Sequence, residues 1–293
     1  MTQSNEGDAA APESALFDRA AFECATLPAR WRSPLNRCNL PAVILGGLTF
    51  QQYPVALFID GVWELHRQLF RALDQFDRPE VRALHFRQYM SSAFLLGQSD
   101  QAGFDPEAGG RRRDRADYLR LLRGWMFNAD GVEAAVLKRW VESRFGLLAL
   151  NHGGSLADPN GLLYARYQAD YVRGLYNSNA LEAQLDLLYS YCQYELSRQW
   201  PGRHHWPLYR GVNQLDEHDL LSRSGDKCCV LLLNNISSFS GDRDHAGAFG
   251  DVILDVRVPA AKLFYFPQLL PGVLQGEGEY LVIGGACQAS VTR

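Results

Sequence analysis

The chain has no uncharged apolar run approaching about eighteen residues, no Cys-x-x-Cys pair, no internal repeat and no excess of positive charge. Each absence removes a class of function. Without such a run, no membrane-spanning helix is expected. The six cysteines, Cys24, Cys38, Cys192, Cys228, Cys229 and Cys287, are scattered, which argues against a structural zinc site and against a dense disulfide framework. The formal net charge of −4 supplies no global positive field, so binding to nucleic acid does not explain the chain. The N-terminus, MTQSNEGDAAAPESALFDR, lacks the basic start and apolar stretch of a secretion signal, and a cytoplasmic location is expected.

What is present is enough apolar material, 47% of the residues, to bury one large core or two modest ones, and two packed regions are expected. Residues 1–18 read as a flexible tail, because they offer no periodic apolar face. Residues 19–200 read as a mainly helical region. Leu181, Leu185, Leu188, Cys192 and Leu196 step by four and three, which predicts a helix with Ser178 as N-cap and Pro201-Gly202 blocking its continuation. Val62, Leu65, Leu69 and Leu73 form a second stripe, and Val132, Val136, Trp140 and Val141 a third; Pro79 and Pro159 suit first helical turns. Residues 201–293 read as β-rich. The run from Cys228 to Leu233, the alternation of Val252, Leu254, Val256 and Val258, and the segments Leu263–Phe266 and Tyr280–Ile283 predict strands separated by Gly and Pro.

Three motifs in this second region carry chemistry. Arg210 lies on a short apolar strand, preceded by Tyr209 and followed by Gly211, a residue that permits close approach to the backbone. Its guanidinium fork suits a pyrophosphate, whereas a plain strand arginine is a solvated or ion-paired residue. Ser238 and Ser240, flanking Phe239, share one side of an extended segment, although serines at a strand end more often satisfy nearby backbone groups in a turn. Glu277 and Glu279 also share one face and lead into an apolar strand; they suit acid-base chemistry as well as the solvated end of a hairpin.

The order arginine, Ser-x-Ser, Glu-x-Glu resembles the R-S-E signature of the arginine-specific mono-ADP-ribosyltransferase superfamily. Phe249-Gly250-Asp251, Val258-Pro259 and Phe266-Pro267 are similar to that superfamily's strands and turns, and the chain from Trp31 onward, including Asn36–Pro41, resembles the dinitrogenase reductase ADP-ribosyltransferases of nitrogen-fixing bacteria. The resemblance implies an α+β fold, an N-terminal helical region packed on a split β-sandwich that takes NAD+ as co-substrate, without a metal. It further implies that Glu279 stabilises the ribosyl cation and that Ser238 holds this glutamate. Glu277 activates the incoming arginine, Arg210 grips the phosphates, and Leu269–Gln275 touch the protein target. Ser237 competes with Ser238 for the serine role, because the superfamily's aromatic precedes its serines; Ser240 preserves the spacing for Ser238. Tyr209, Phe239 and Phe249 are the candidates to stack on nicotinamide. The implied target is the nitrogenase iron protein and the implied regulator a PII-type signalling protein. An NAD glycohydrolase, an ADP-ribosylating effector with another protein target, and a regulatory binding module with a degenerate nucleotide site are the competing readings. His204, His205 and His245 read as exposed loop histidines, and Arg111, Arg112, Arg113 and Arg115 as a solvated helix approach or a docking cluster.

Overall fold

The computed structural model describes residues 27–97, 116–175, 180–213, 215, 219–225, 227–274 and 278–292. The tail at 1–18, Ser178 and the arginine cluster at 111–115 lie outside these. Before Pro201 the described elements are helical: α1 (Ala42–Leu45), α2 (Leu48–Gln52), α3 (Val62–Leu65), α4 (Arg67–Leu73), α5 (Pro79–Ala93), α6 (Tyr118–Phe127), α7 (Val132–Phe145), α8 (Leu162–Gly174) and α9 (Ala180–Gln199). After it come β1 (His205–Val212), β2 (Asp219–Ser224), β3 (Cys228–Ser240), the short α10 (Arg243–Gly247), β4 (Val252–Pro259), β5 (Leu263–Tyr265) and β6 (Glu279–Thr292). The protein is therefore α+β. No helix among the described residues is long and apolar enough to cross a membrane.

Local chemistry explains most boundaries. Pro79 opens α5 at a position where a missing N–H costs nothing. Pro159 does not open α8. It sits in a turn built on Asp158, whose carboxylate accepts from Asn160 N at 3.0 Å and whose carbonyl accepts from Gly161 N at 3.1 Å. The stripe from Val62 to Leu73 is two helices, broken at His66 (φ −104°, ψ 21°), and Leu65 faces solvent at 77% exposure.

All strand pairings are antiparallel. The pair β1–β4 and the set β2–β3–β6–β5 form two leaves joined at both ends. β1 meets β3 at Tyr209↔Ser240, while β4 meets β6 from Ile253↔Thr292 to Asp255↔Ser290. The pairings thus close a ring through β1, β4, β6 and β3. The apolar run from Cys228 does not end at the asparagines: β3 continues to Ser240 across a bulge, where Asn234 and Asn235 oppose Gly284. A Cβ on Gly284 would collide with the carbonyl oxygen of Asn234, so the bulge requires glycine there.

Both bulge asparagines reach into the helical region. Asn234 Oδ1 accepts from Leu150 N at 2.9 Å, and its Nδ2 donates to Asn151 O at 3.0 Å. Asn235 Nδ2 donates to the carbonyls of Lys138 at 2.8 Å and Leu147 at 3.0 Å. On the other flank, Ala286 N donates to Gly46 O at 2.8 Å, and the side-chain amide of Gln51 pairs with the backbone of Gln288 as a neighbouring strand would. Between these ties, Tyr189 donates to Ala261 O at 2.8 Å, and Trp140 packs on Phe264 at 4.9 Å. A single cluster of buried side chains runs from Leu27 through α9 to Val291, so the helices and the sheet share one core.

One ion pair inside the helical region is wholly withdrawn from water. Arg82 of α5 forks onto Glu195 of α9 through Nε and NH2 at 2.7 Å each, with the two side chains 3% and 1% exposed. Removing one partner strands the other charge. Glu195→Ala should therefore destabilise the protein by about 3–5 kcal/mol, measured by denaturant unfolding, whereas Glu80→Ala on the exposed Arg78–Glu80 pair should cost under about 1 kcal/mol.

Candidate active site

Ring closure at Tyr209↔Ser240 brings the end of β3, the middle of β1 and the start of β6 to one place. A cleft of about 610 Å³ opens there, lined by Tyr209, Arg210, Gly211, Ser238, Phe239, Ser240, Phe249 and Glu279. Eight of the nine sequence-derived candidates meet at this cleft. The ninth, Glu277, lies outside the described residues. Its volume is in the range of small-molecule sites.

Strand geometry sets the contacts. Ser240 faces Glu279 across the β3–β6 ladder, and Ser238 is the diagonal neighbour on the same face. Ser238 Oγ donates to Glu279 Oε1. Ser237 points elsewhere: it is 4% exposed and its hydroxyl reaches only Asn234 O, at 3.5 Å. The serine that touches the glutamate is therefore Ser238. Ser240 Oγ accepts from Asp242 N at 3.0 Å and supports the turn into α10.

Arg210 shares the inward face of β1 with the buried Trp206, Leu208 and Val212. Its NH1 donates to Ser238 O at 2.7 Å, tying β1 to β3 beside the glutamate. Its Nε is buried with no hydrogen-bond partner. Burial lowers the guanidinium pKa, and the charge of Glu279 opposes that shift. A buried cation with an unused donor at the edge of a cleft gains from an anionic ligand, since a phosphate oxygen would supply the missing acceptor and further negative charge.

The aromatic candidates separate by exposure. Phe239 is 3% exposed and belongs to the core, Tyr209 is half-buried, and Phe249 is 63% exposed. Gly211 allows a close approach made by the chain itself: a Cβ there would overlap the carbonyl oxygen of Ala246 in α10. His245 corrects its sequence reading. It lies on α10, half-buried, in the cleft wall with its ring 5.5 Å from that of Phe249. His205 is likewise a strand residue, hydrogen-bonded to Gln51 O at 2.7 Å; only His204 is an exposed loop residue. Among the described residues, the stretch from Leu269 is less open than a target-touching loop suggests, because Leu269 and Leu270 are each 1% exposed and Pro271 and Gly272 are the ones that face solvent.

The sequence reading missed the contribution of α6. Trp125, Met126 and Phe127 line the cleft with Ala129, and Trp125 Nε1 donates to Ser238 Oγ at 2.9 Å. No spacing within the second region could have pointed to them, because they come from the helices.

Residues 35–291 match the family model described as dinitrogenase reductase ADP-ribosyltransferase (DRAT). The NAD(+)--dinitrogen-reductase ADP-D-ribosyltransferase of Rhodospirillum rubrum is 40% identical to the chain over 252 residues, covering 85% of this chain and 91% of the relative. No solved structure matches the chain.

The packing of α10 on Gly211 is testable without any ligand assumption. Gly211→Ala should force α10 away from β1 and destabilise the protein by about 1–3 kcal/mol, read as a lower thermal midpoint. Gly247→Ala, where an added Cβ meets only Ile253 Cδ1 at 3.7 Å, should leave the midpoint nearly unchanged.

Proposed function

Since this chain belongs to the dinitrogenase reductase ADP-ribosyltransferase family, we propose that it transfers ADP-ribose from NAD+ to an arginine of the nitrogenase iron protein. The observation that carries this reading is the Ser238–Glu279 hydrogen bond beside the under-satisfied guanidinium of Arg210, in a cleft of about 610 Å³. Cleavage of the bond from nicotinamide to ribose leaves positive charge on the sugar, and a fixed carboxylate lowers the barrier to it. Glu279 is that carboxylate. Ser238 holds it, so little reorganisation is needed when charge develops. Arg210 binds the pyrophosphate with the donor that its own fold leaves free. Of the three aromatics expected from the sequence, Phe249 and Tyr209 are the accessible ones for a planar ring.

Transfer to arginine needs one more group. A guanidinium is cationic and a poor nucleophile until a proton is withdrawn, and Glu277, two residues from Glu279, takes that proton as the arginine nitrogen bonds to the ribose carbon. Nicotinamide leaves with the electrons of the broken bond. We read the closed ring of strands as the split β-sandwich of the R-S-E superfamily. The helical region serves recognition, with a PII-type signalling protein as regulator. A cytoplasmic site of action suits the five described cysteines, all of which are unpaired.

The test is to incubate the purified chain with NAD+ labelled in its ADP-ribose and with the nitrogenase iron protein. Label should appear on an arginine of the target. Nicotinamide release with no labelled protein would instead make the chain a glycohydrolase.

Two variant sets divide the roles. Glu277→Gln should keep nicotinamide release and lose transfer, whereas Glu279→Gln should lose both; equal losses in the Glu277 variant would remove the division. Arg210→Lys keeps the charge but not the planar fork, and should weaken NAD+ binding by about tenfold or more in a titration of folded protein. An unchanged dissociation constant would leave Arg210 as a tie between β1 and β3 only.

A further inference from the structure

Ser238 cannot orient itself. Its hydroxyl carries one proton and two lone pairs and sits on a rotatable bond, so an isolated serine beside Glu279 would exchange among several partners. Here a second group removes that freedom. Trp125 Nε1 donates to Ser238 Oγ at 2.9 Å, and an indole nitrogen donates only. With the indole N–H aimed at its oxygen, the hydroxyl proton is directed to Glu279 Oε1. The hydrogen bonds run in one sense, from indole to hydroxyl to carboxylate.

The indole is itself firmly located. Trp125 is 3% exposed, in the last turn of α6. The other end of that helix is pinned by the buried Gln184 of α9, whose Oε1 accepts from Tyr118 N at 2.9 Å and whose Nε2 donates to Ala116 O at 3.0 Å. Next to the tryptophan, Gly124 lets α6 lie tight on α7: an added Cβ would be 2.5 Å from Glu133 Cβ. The ammonium of Lys138 in α7 lies 5.9 Å from the Trp125 ring centroid and is fixed by Asp130 at 3.0 Å and Asn151 O at 2.9 Å. The path from α9 and α7 through the indole to the glutamate is continuous.

We propose that Trp125 is a positioning residue for the reaction at Glu279, acting through Ser238, so that α6 joins the helical region to the bond-breaking chemistry. This rests on the reading of Glu279 given above. It adds that the catalytic geometry is completed by a residue from outside the β-rich region, and that any displacement of α6 against α7 is felt at the glutamate.

The experiment is a double-mutant cycle on the full-length chain, read as nicotinamide release from NAD+ at saturating and subsaturating concentrations. Trp125→Phe keeps an aromatic ring and removes the N–H. It should lower kcat roughly tenfold while KM for NAD+ stays within about twofold, because the lost interaction orients a group that acts on the transition state. Ser238→Ala should show the same kind of loss. If Trp125 acts through Ser238, Trp125→Phe costs nothing further in the Ser238→Ala background. Losses that multiply, or a Trp125→Phe enzyme with wild-type kcat, overturn the proposal and leave Trp125 as a packing residue.

Thermal midpoints of all variants are measured alongside. If Trp125→Phe does not fold, Gly124→Ala takes its place: it keeps the indole but pushes α6 off α7, and its kcat loss should likewise vanish in the Ser238→Ala background. A Gly124→Ala loss that persists there counts against the proposal. Failure of the underlying reading looks different, since Glu279→Gln would then retain nicotinamide release whatever the cycle gives.

Discussion

The bulge at Asn234 and Asn235 is the constraint on which the rest of the site depends. Side chains alternate along a strand, so one extra residue in β3 reverses which face every later side chain occupies relative to β6. Before the bulge, Leu231 and Leu233 face the partners Cys287 and Gly285; after it, Ser238 and Ser240 come to the side of Glu279. Such an irregularity needs its freed backbone and side-chain groups satisfied. The asparagine side chains do most of this by bonding to Leu147, Leu150 and Asn151 in the loop beyond α7 and to the carbonyl of Lys138 within it; Asn234 Oδ1 also accepts from Asn235 N, and Asn235 Oδ1 alone is left without a partner. The feature that aims the serines at the glutamate is thus also the feature that fastens the sheet to the helices.

This fastening explains why strand and helical parts interleave at the cleft. Arg210 fixes β1 to Ser238 from one side, and Trp125 reaches the same serine from the other. One residue therefore has its carbonyl oxygen held by a strand neighbour and its hydroxyl held by a helix. Half-buried and with its hydroxyl and its carbonyl oxygen both engaged, Ser238 has far fewer ways to move than a serine at a strand end ordinarily has.

Much of this was legible in the residues and some was not, for physical reasons. Amphipathic spacing from Leu181 to Leu196 marked α9 because a long buried helix repeats its apolar face many times. The signal failed at Leu65, where a stripe of the right period crosses the break at His66. Arginine, serine and glutamate were recognisable from their order and type, and they do meet at one cleft. The strands around them were underestimated. β3 and β6 run well past their apolar segments, because a polar stretch such as Asn234–Ser240, or a Gly284-Gly285 pair, is carried through by cross-strand pairing that no local pattern encodes. β2 was not anticipated at all: Asp219–Ser224 has no clean alternation and owes its form to β3. Trp125 was invisible for a related reason, since its contact with Ser238 spans more than a hundred residues of chain.

The shared core bears on how this molecule can be handled. A segment starting at Pro201 would carry Arg210, Ser238 and Glu279, yet it would leave behind the helices that cover β3 and β5 and the indole that meets the serine. Phe264, wholly buried here against Trp140, would become surface, and the asparagine amides of the bulge would lose their acceptors. The β-rich part is therefore not portable: it cannot be excised or grafted elsewhere without redesigning the face that α7 and α9 cover.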